Sequence, residues 1–110
     1  MTRIFISQPM GGKTNQQIRE EREYIEQFCR NMYPGCEIID TVLDDHDVPI
    51  CKNRPLMFLA KSLEMLADAD IAVFAMGWKD ARGCCIEHEA AEKYGITIFH
   101  YANFLNGTCK

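Results

Sequence analysis

Surplus positive charge is missing from this chain. Its 12 Lys and Arg residues stand against 16 Asp and Glu, a formal net charge of -4. A general nucleic-acid binder needs clustered cations to displace counterions from phosphates, so that class is set aside. Long hydrophobic runs are missing too. No stretch approaches the roughly 20 apolar residues that span a bilayer, so no membrane partner is expected. The opening Met1-Thr2-Arg3-Ile4-Phe5-Ile6-Ser7-Gln8-Pro9 turns polar too soon for a secretory signal, and a cytoplasmic location is expected. There are six cysteines but no Cys-x-x-Cys pair, which argues against structural zinc. With 47% apolar residues and no secretory segment, a disulfide scaffold is not expected either. No repeat, linker or low-complexity segment divides the 110 residues, which suit one domain with a modest core.

What is present is alternation. Arg3-Ile4-Phe5-Ile6 reads as a short buried strand, followed by a loop, Ser7 to Lys13, with Pro9, Gly11 and Gly12. Thr14 or Asn15 caps a helix reaching about Met32. Its apolar face is expected to carry Ile18, Tyr24, Ile25 and Phe28, and its solvated face Arg19, Glu20, Glu21, Arg22, Glu23 and Glu26. Pro34-Gly35 ends it, and Glu37-Ile38-Ile39-Asp40 is a second strand. Pro55 suits the first turn of a helix reaching about Ala67. Ile71-Ala72-Val73-Phe74-Ala75 is a third strand, Gly83 to Tyr94 a helix ended by Gly95, and Ile96-Thr97-Ile98-Phe99 a fourth strand. The segment from Tyr101 through Asn103 and Phe104 to Asn106-Gly107 shows no period and reads as a tail that docks on a neighbour. This order predicts an α/β three-layer flavodoxin- or Rossmann-like sandwich. Its parallel sheet has four to five strands in the order 2-1-3-4, with helices on both faces. The loops after strands 1 and 3 then meet at one cleft, where open α/β sheets bind ligands.

Within the first loop, Gly12-Lys13-Thr14 ends like a phosphate-binding P-loop. The residue five before Gly12 is Ser7 rather than glycine, and no acidic residue directly follows the third strand to hold magnesium. The glycines still allow backbone amides to approach a phosphate or a sugar hydroxyl. Asp40, Asp44, Asp45 and Asp47 with His46 fit no metal-ligand spacing and read as a solvated loop. His88 and His100 read as surface or interface residues, and Cys29, Cys36 and Cys51 as small buried or half-buried ones. Cys84-Cys85 sits at a helix start, where packing is favoured over redox chemistry. Glu87 and Glu89 lie two apart, about 200° around a helix, so only one faces the cleft. Glu87 shares its face with Ala90, Ala91 and Tyr94, which directs it inward. Trp78, the single tryptophan, lies in the loop over the cleft and suits either stacking on a base or packing on the helix.

These residues resemble the nucleoside 2-deoxyribosyltransferase superfamily, in particular its small bacterial and phage branch of unknown function. The resemblance rests on Ile4-Phe5-Ile6-Ser7-Gln8-Pro9-Met10-Gly11-Gly12-Lys13, Lys61-Ser62-Leu63-Glu64, Ala69-Asp70-Ile71-Ala72-Val73, and Gly77-Trp78 through Arg82-Gly83-Cys84 to Glu87-His88-Glu89-Ala90-Ala91. It covers nearly the whole chain. It implies that Glu87, with Gly83 four residues before it and Gly95 eight after, is a nucleophile on the anomeric carbon of a nucleoside or nucleoside 5′-monophosphate. Relatives carry a catalytic aspartate about eight residues before Asp70. Here that position is Ser62, and Ser62 or a water is expected to assist the base. Relatives have a glycine two residues after the nucleophile, where this chain has Glu89. The resemblance further implies ligand binding by Ser7, Gln8, Pro9, Met10, Gly11, Gly12 and Lys13, with Trp78, Arg82 and Gly83. It implies a homodimer or higher oligomer in which Asn103 or Tyr101 completes a neighbour's pocket. No cofactor or metal enters this chemistry. The alternative is a catalytically inactive nucleotide-binding module of the same fold.

Overall fold

The computed structural model describes residues 1–41 and 45–105. Four strands and four helices follow one another: β1 (Arg3–Ser7), α1 (Asn15–Met32), β2 (Glu37–Ile38), α2 (Arg54–Leu66), β3 (Ile71–Phe74), α3 (Arg82–Lys93), β4 (Thr97–His100) and α4 (Tyr101–Leu105). The strands form one parallel sheet in the order β2-β1-β3-β4. This is the expected α/β sandwich, with four strands among the described residues.

Alternation along the two central strands builds both halves of the core. Ile4 and Ile6 with Ile71 and Val73 face α1 and α4, where Ile25, Cys29, Phe28 and Tyr101 meet them. Phe5 with Ala72 and Phe74 faces α2 and α3, meeting Leu66, Leu63, Ala90 and Ala91. A parallel sheet covered on both sides needs apolar residues at every central position, which is why these strands read as unbroken hydrophobic runs. Helix α1 begins with a capping box in which Thr14 and Gln17 each bond the other's backbone N–H.

Several elements differ from the sequence reading. Tyr24 does not join the apolar face of α1; it is exposed, and Arg22 is buried instead. The Arg22 guanidinium donates to Thr41 Oγ1 and to the Ile39 carbonyl, both at 3.0 Å, while its Nε pairs with Glu26. A buried guanidinium is tolerated because its donors are satisfied. The same contacts explain why β2 stops at Ile38. One further backbone bond, Ile39 N–H to Ile4 C=O, extends the pairing, and then the Thr41 hydroxyl donates to the Ile6 carbonyl in place of a strand amide. Strand β4 begins one residue later than read, because the Ile96 N–H is drawn back to the Ala91 carbonyl where Gly95, with φ at 75°, turns the chain away beyond α3. Tyr101 through Leu105 forms a helix rather than a tail. Its Tyr101 and Phe104 rings lie 5.4 and 4.5 Å from Phe28 of the same chain. Tyr94 and Cys51 are exposed, not packed. Asp44 and Asn106-Gly107 lie outside the described residues. Among the described residues no helix is long and apolar enough to cross a membrane.

Candidate functional site

The order β2-β1-β3-β4 means that the chain reverses direction across the sheet between β1 and β3. Their carboxyl ends are Ser7 and Phe74, paired in register. Gly77 holds φ at 81° in the loop after β3, and a Cβ built there would stand 3.9 Å from Pro9 of the loop after β1, so the two loops come together. On the α2/α3 side of this junction lies an open cleft of about 890 Å³. That is within the size range of small-molecule sites. Gln8, Pro9 and Met10 form one wall, Asn53, Pro55, Leu56, Phe58, Leu59 and Ser62 another, and Ala81 through Cys84 with Ile86 and Glu87 a third.

Glu87 occupies the second turn of α3, and its side chain turns inward. It is 6% exposed, whereas Glu89 is exposed, as the helical spacing requires. Ser7, at the end of β1, donates its hydroxyl to Glu87 Oε1 at 2.6 Å. Ser62 of α2 lies on the cleft lining with Glu87, and its hydroxyl favours the charged form of the same carboxyl group. Residues of two other elements, β1 and α2, therefore act on one acid of α3. Burial raises the Glu87 pKa above the ordinary glutamate value, and the Ser7 and Ser62 hydroxyls oppose that rise. Cys84, one turn earlier, is buried as well, and burial pushes its thiol up to about 11. Its position near the start of the helix does not make it a thiolate. Helix α3 has no side-chain cap at Ala81, so the N–H groups of its opening turn lie at the cleft wall without one.

The other residues singled out from the sequence fall in different places. Gln8, Pro9, Met10, Ser62, Arg82, Gly83 and Glu87 line the cleft together. Ser7 is buried, holding Glu87. Ser62 stands in the same cleft lining as Glu87. Gly11 and Gly12 are exposed and outside the cleft lining, and Lys13 turns away to pair with Glu21 at 3.1 Å. Trp78 is not over the cleft. It lies on His88 of α3, ring centroids 4.0 Å apart and planes 6° from parallel. Asn103 borders a second, smaller hollow of about 430 Å³ shared with Met76 through Asp80 and His100, and Tyr101 packs on Phe28. Asp70 anchors a strand end: its carboxylate accepts from the Arg3 N–H at 2.8 Å. Among the described residues no group of three His, Cys, Asp or Glu is placed to hold a metal ion.

Two features escaped the sequence reading. Thr41 lines the cleft and is fixed there by Arg22. His88 and His100 pair with each other, Nε2 to Nε2 at 2.9 Å. Nothing in their spacing announces this, because the contact joins a helix to the next strand.

No protein-family model matches the sequence, and no curated protein does. The chain is similar in structure to a conserved protein from Enterococcus faecalis V583 known from its crystal structure, with a TM-score of 0.68 and 17% sequence identity. The similarity covers 91% of this chain and 62% of that one, so this chain spans under two thirds of the other's length. At that identity the likeness shows a shared fold and no more.

Proposed function

We propose that the protein cleaves, or transfers to a second base, the N-glycosidic bond of a nucleoside, deoxynucleoside or nucleoside 5′-monophosphate, with Glu87 as nucleophile. The observation that carries this reading is one inward-facing carboxylate, hydrogen-bonded by Ser7, on the wall of a small-molecule-sized cleft at the sheet's switch point. A carboxylate held in this way attacks the anomeric carbon as the carbon–nitrogen bond breaks, giving a glycosyl ester. The base departs with the bonding electrons and takes up a proton. Water, or the nitrogen of another base, then displaces Glu87 from the ester. A static anion beside the oxocarbenium-like transition state favours the first step, and low solvent exposure strengthens that attraction. The uncapped start of α3 and the Arg82 side chain at its edge supply a positive field suited to a 5′-phosphate. The reading includes a homodimer or higher oligomer. The exposed apolar side chains of Met10, Leu56 and Ile86 on the cleft lining support it.

A second reading, a nucleotide-binding module without catalysis, has its own support. Among the described residues Glu87 is the one carboxylate in the cleft lining, so no second acid stands ready to protonate a leaving base. Incubation with a panel of nucleosides, deoxynucleosides and their monophosphates, followed by chromatography for free base, separates the two. The enzyme reading expects base release that falls at least about a thousandfold in Glu87→Gln. Ligand binding by both proteins with no base release from either supports the module and defeats the enzyme.

A further inference from the structure

At the position after the cleft's acid on α3, His88 joins His100 and Trp78 in a cluster of three aromatic rings. The His88 and His100 ring planes lie 17° apart with centroids 5.1 Å apart, while their Nε2 atoms are only 2.9 Å apart. The centroids are farther apart than the nitrogens by about one ring radius at each end. The two rings therefore lie edge to edge in nearly one plane, nitrogen facing nitrogen. The Trp78 indole covers both: 4.0 Å and 6° to His88, 5.4 Å and 14° to His100. Phe74 of β3 closes the inner side, edge-on to His88 at 4.8 Å.

Two facing imidazole nitrogens have room for one hydrogen. One ring must donate and the other must accept. With no proton between them two lone pairs oppose each other, and with two protons two N–H bonds collide and two positive charges meet. The charged groups around the stack do not remove this limit. Lys79, whose Nζ stands 5.8 Å from the Trp78 ring, adds positive charge, and Asp80 borders the same hollow as His100. From α3, the Cys85 thiol donates to the Trp78 and Lys79 carbonyls, β3 contributes Phe74, and α4 contributes the uncharged Ala102 and Asn103 at the hollow's edge. Burial, followed by the neighbouring His88 and Lys79, holds the His100 pKa below the ordinary histidine value, in keeping with resistance to further charge.

We propose that His88 and His100 form a single-proton latch that closes the loop after β3 onto α3 and β4, and that uptake of a second proton opens it. The opened segment leads directly into Ala81 and Arg82, which line the cleft, so acidification loosens one cleft wall. This inference is independent of the reaction assigned to Glu87. Opening that admits one extra proton grows about tenfold per pH unit below the second protonation.

The test uses the whole chain and its single tryptophan. Imidazole resonances by NMR and Trp78 emission are followed from pH 8 to pH 4, in the wild type and in His100→Gln, whose amide keeps a hydrogen-bond partner for His88 without a second charge. The latch predicts that the histidine pair titrates in two steps at least about one pH unit apart. Trp78 emission and amide protection at Trp78, Asp80 and Ala81 change with the lower step, and His100→Gln loses that step. Coincident titration of the two rings, or emission that stays flat through the range, overturns the latch. Retention of the lower step in His100→Gln overturns it as well. The wild-type titration decides the matter even if the variant fails to fold.

Discussion

Glu87 meets two opposed demands. Its burial disfavours the charge that a nucleophile needs, while the Ser7 and Ser62 hydroxyls restore part of that charge's stability. Two consequences follow from the signs. Removing a donor pushes the pKa further up, so Ser7→Ala shifts the acid limb of a base-release profile to higher pH, read from kcat/KM against pH. A carboxyl whose folded pKa is raised contributes most to stability below its unfolded pKa, and that contribution is lost as pH rises through the folded value. Glu87→Gln, which cannot ionise, therefore melts higher than wild type in alkaline buffer, with a gap that narrows towards pH 4; a constant gap contradicts this. The cysteines give a separate check on local environment. Burial raises Cys29 to about 12 and Cys84 to about 11, while Cys51 is exposed. Iodoacetamide at neutral pH should modify Cys51 and spare Cys29 and Cys84 in the native protein, as read by peptide mass spectrometry.

At the scale of elements, helix α1 does more than cover the sheet. Through Arg22 it fixes Thr41, and through Thr41 it satisfies the last free carbonyl of β1 before the cleft. Arg22→Ala leaves the Ile39 carbonyl and Thr41 without their donors, which costs about 1–3 kcal/mol. Arg22→Lys recovers only part of this, because an ammonium cannot reach two acceptors as a planar fork does. Urea unfolding of the two variants measures both effects. This role was invisible in the sequence, where Arg22 sits among Arg19, Glu20, Glu21, Glu23 and Glu26 and reads as one more solvated charge. Tyr24 was misread for the complementary reason: helical spacing gives a stripe about two residues wide, and Ile18, Ile25 and Cys29 already fill it. Elements with a strong internal period were legible to within a residue or two. The fate of Trp78 was not, since its partners come from α3 and β4 and only tertiary folding brings them together.

At the scale of the whole molecule, strand order decides where chemistry is possible. The reversal between β1 and β3 places Ser7 and the loop after β3 at one opening, and α3 runs from that opening with Glu87 on its inner face. This much was readable, because two unbroken apolar strands alternating with capped helices leave few topologies open. The division of the loops was not. Gly11, Gly12 and Lys13 suggested an anion cradle, yet Lys13 closes onto Glu21 and the cleft draws its polar side chains from Gln8, Thr41, Asn53, Ser62, Arg82 and Glu87 instead. Intact-protein mass spectrometry of a rapidly quenched reaction tests the central claim most directly. With a nucleoside substrate that releases base, the account predicts a mass increase equal to one glycosyl group, mapped to the peptide containing Glu87 and absent from Glu87→Gln. Base release in Glu87→Gln at the wild-type rate, or a glycosyl adduct on any other residue, contradicts it.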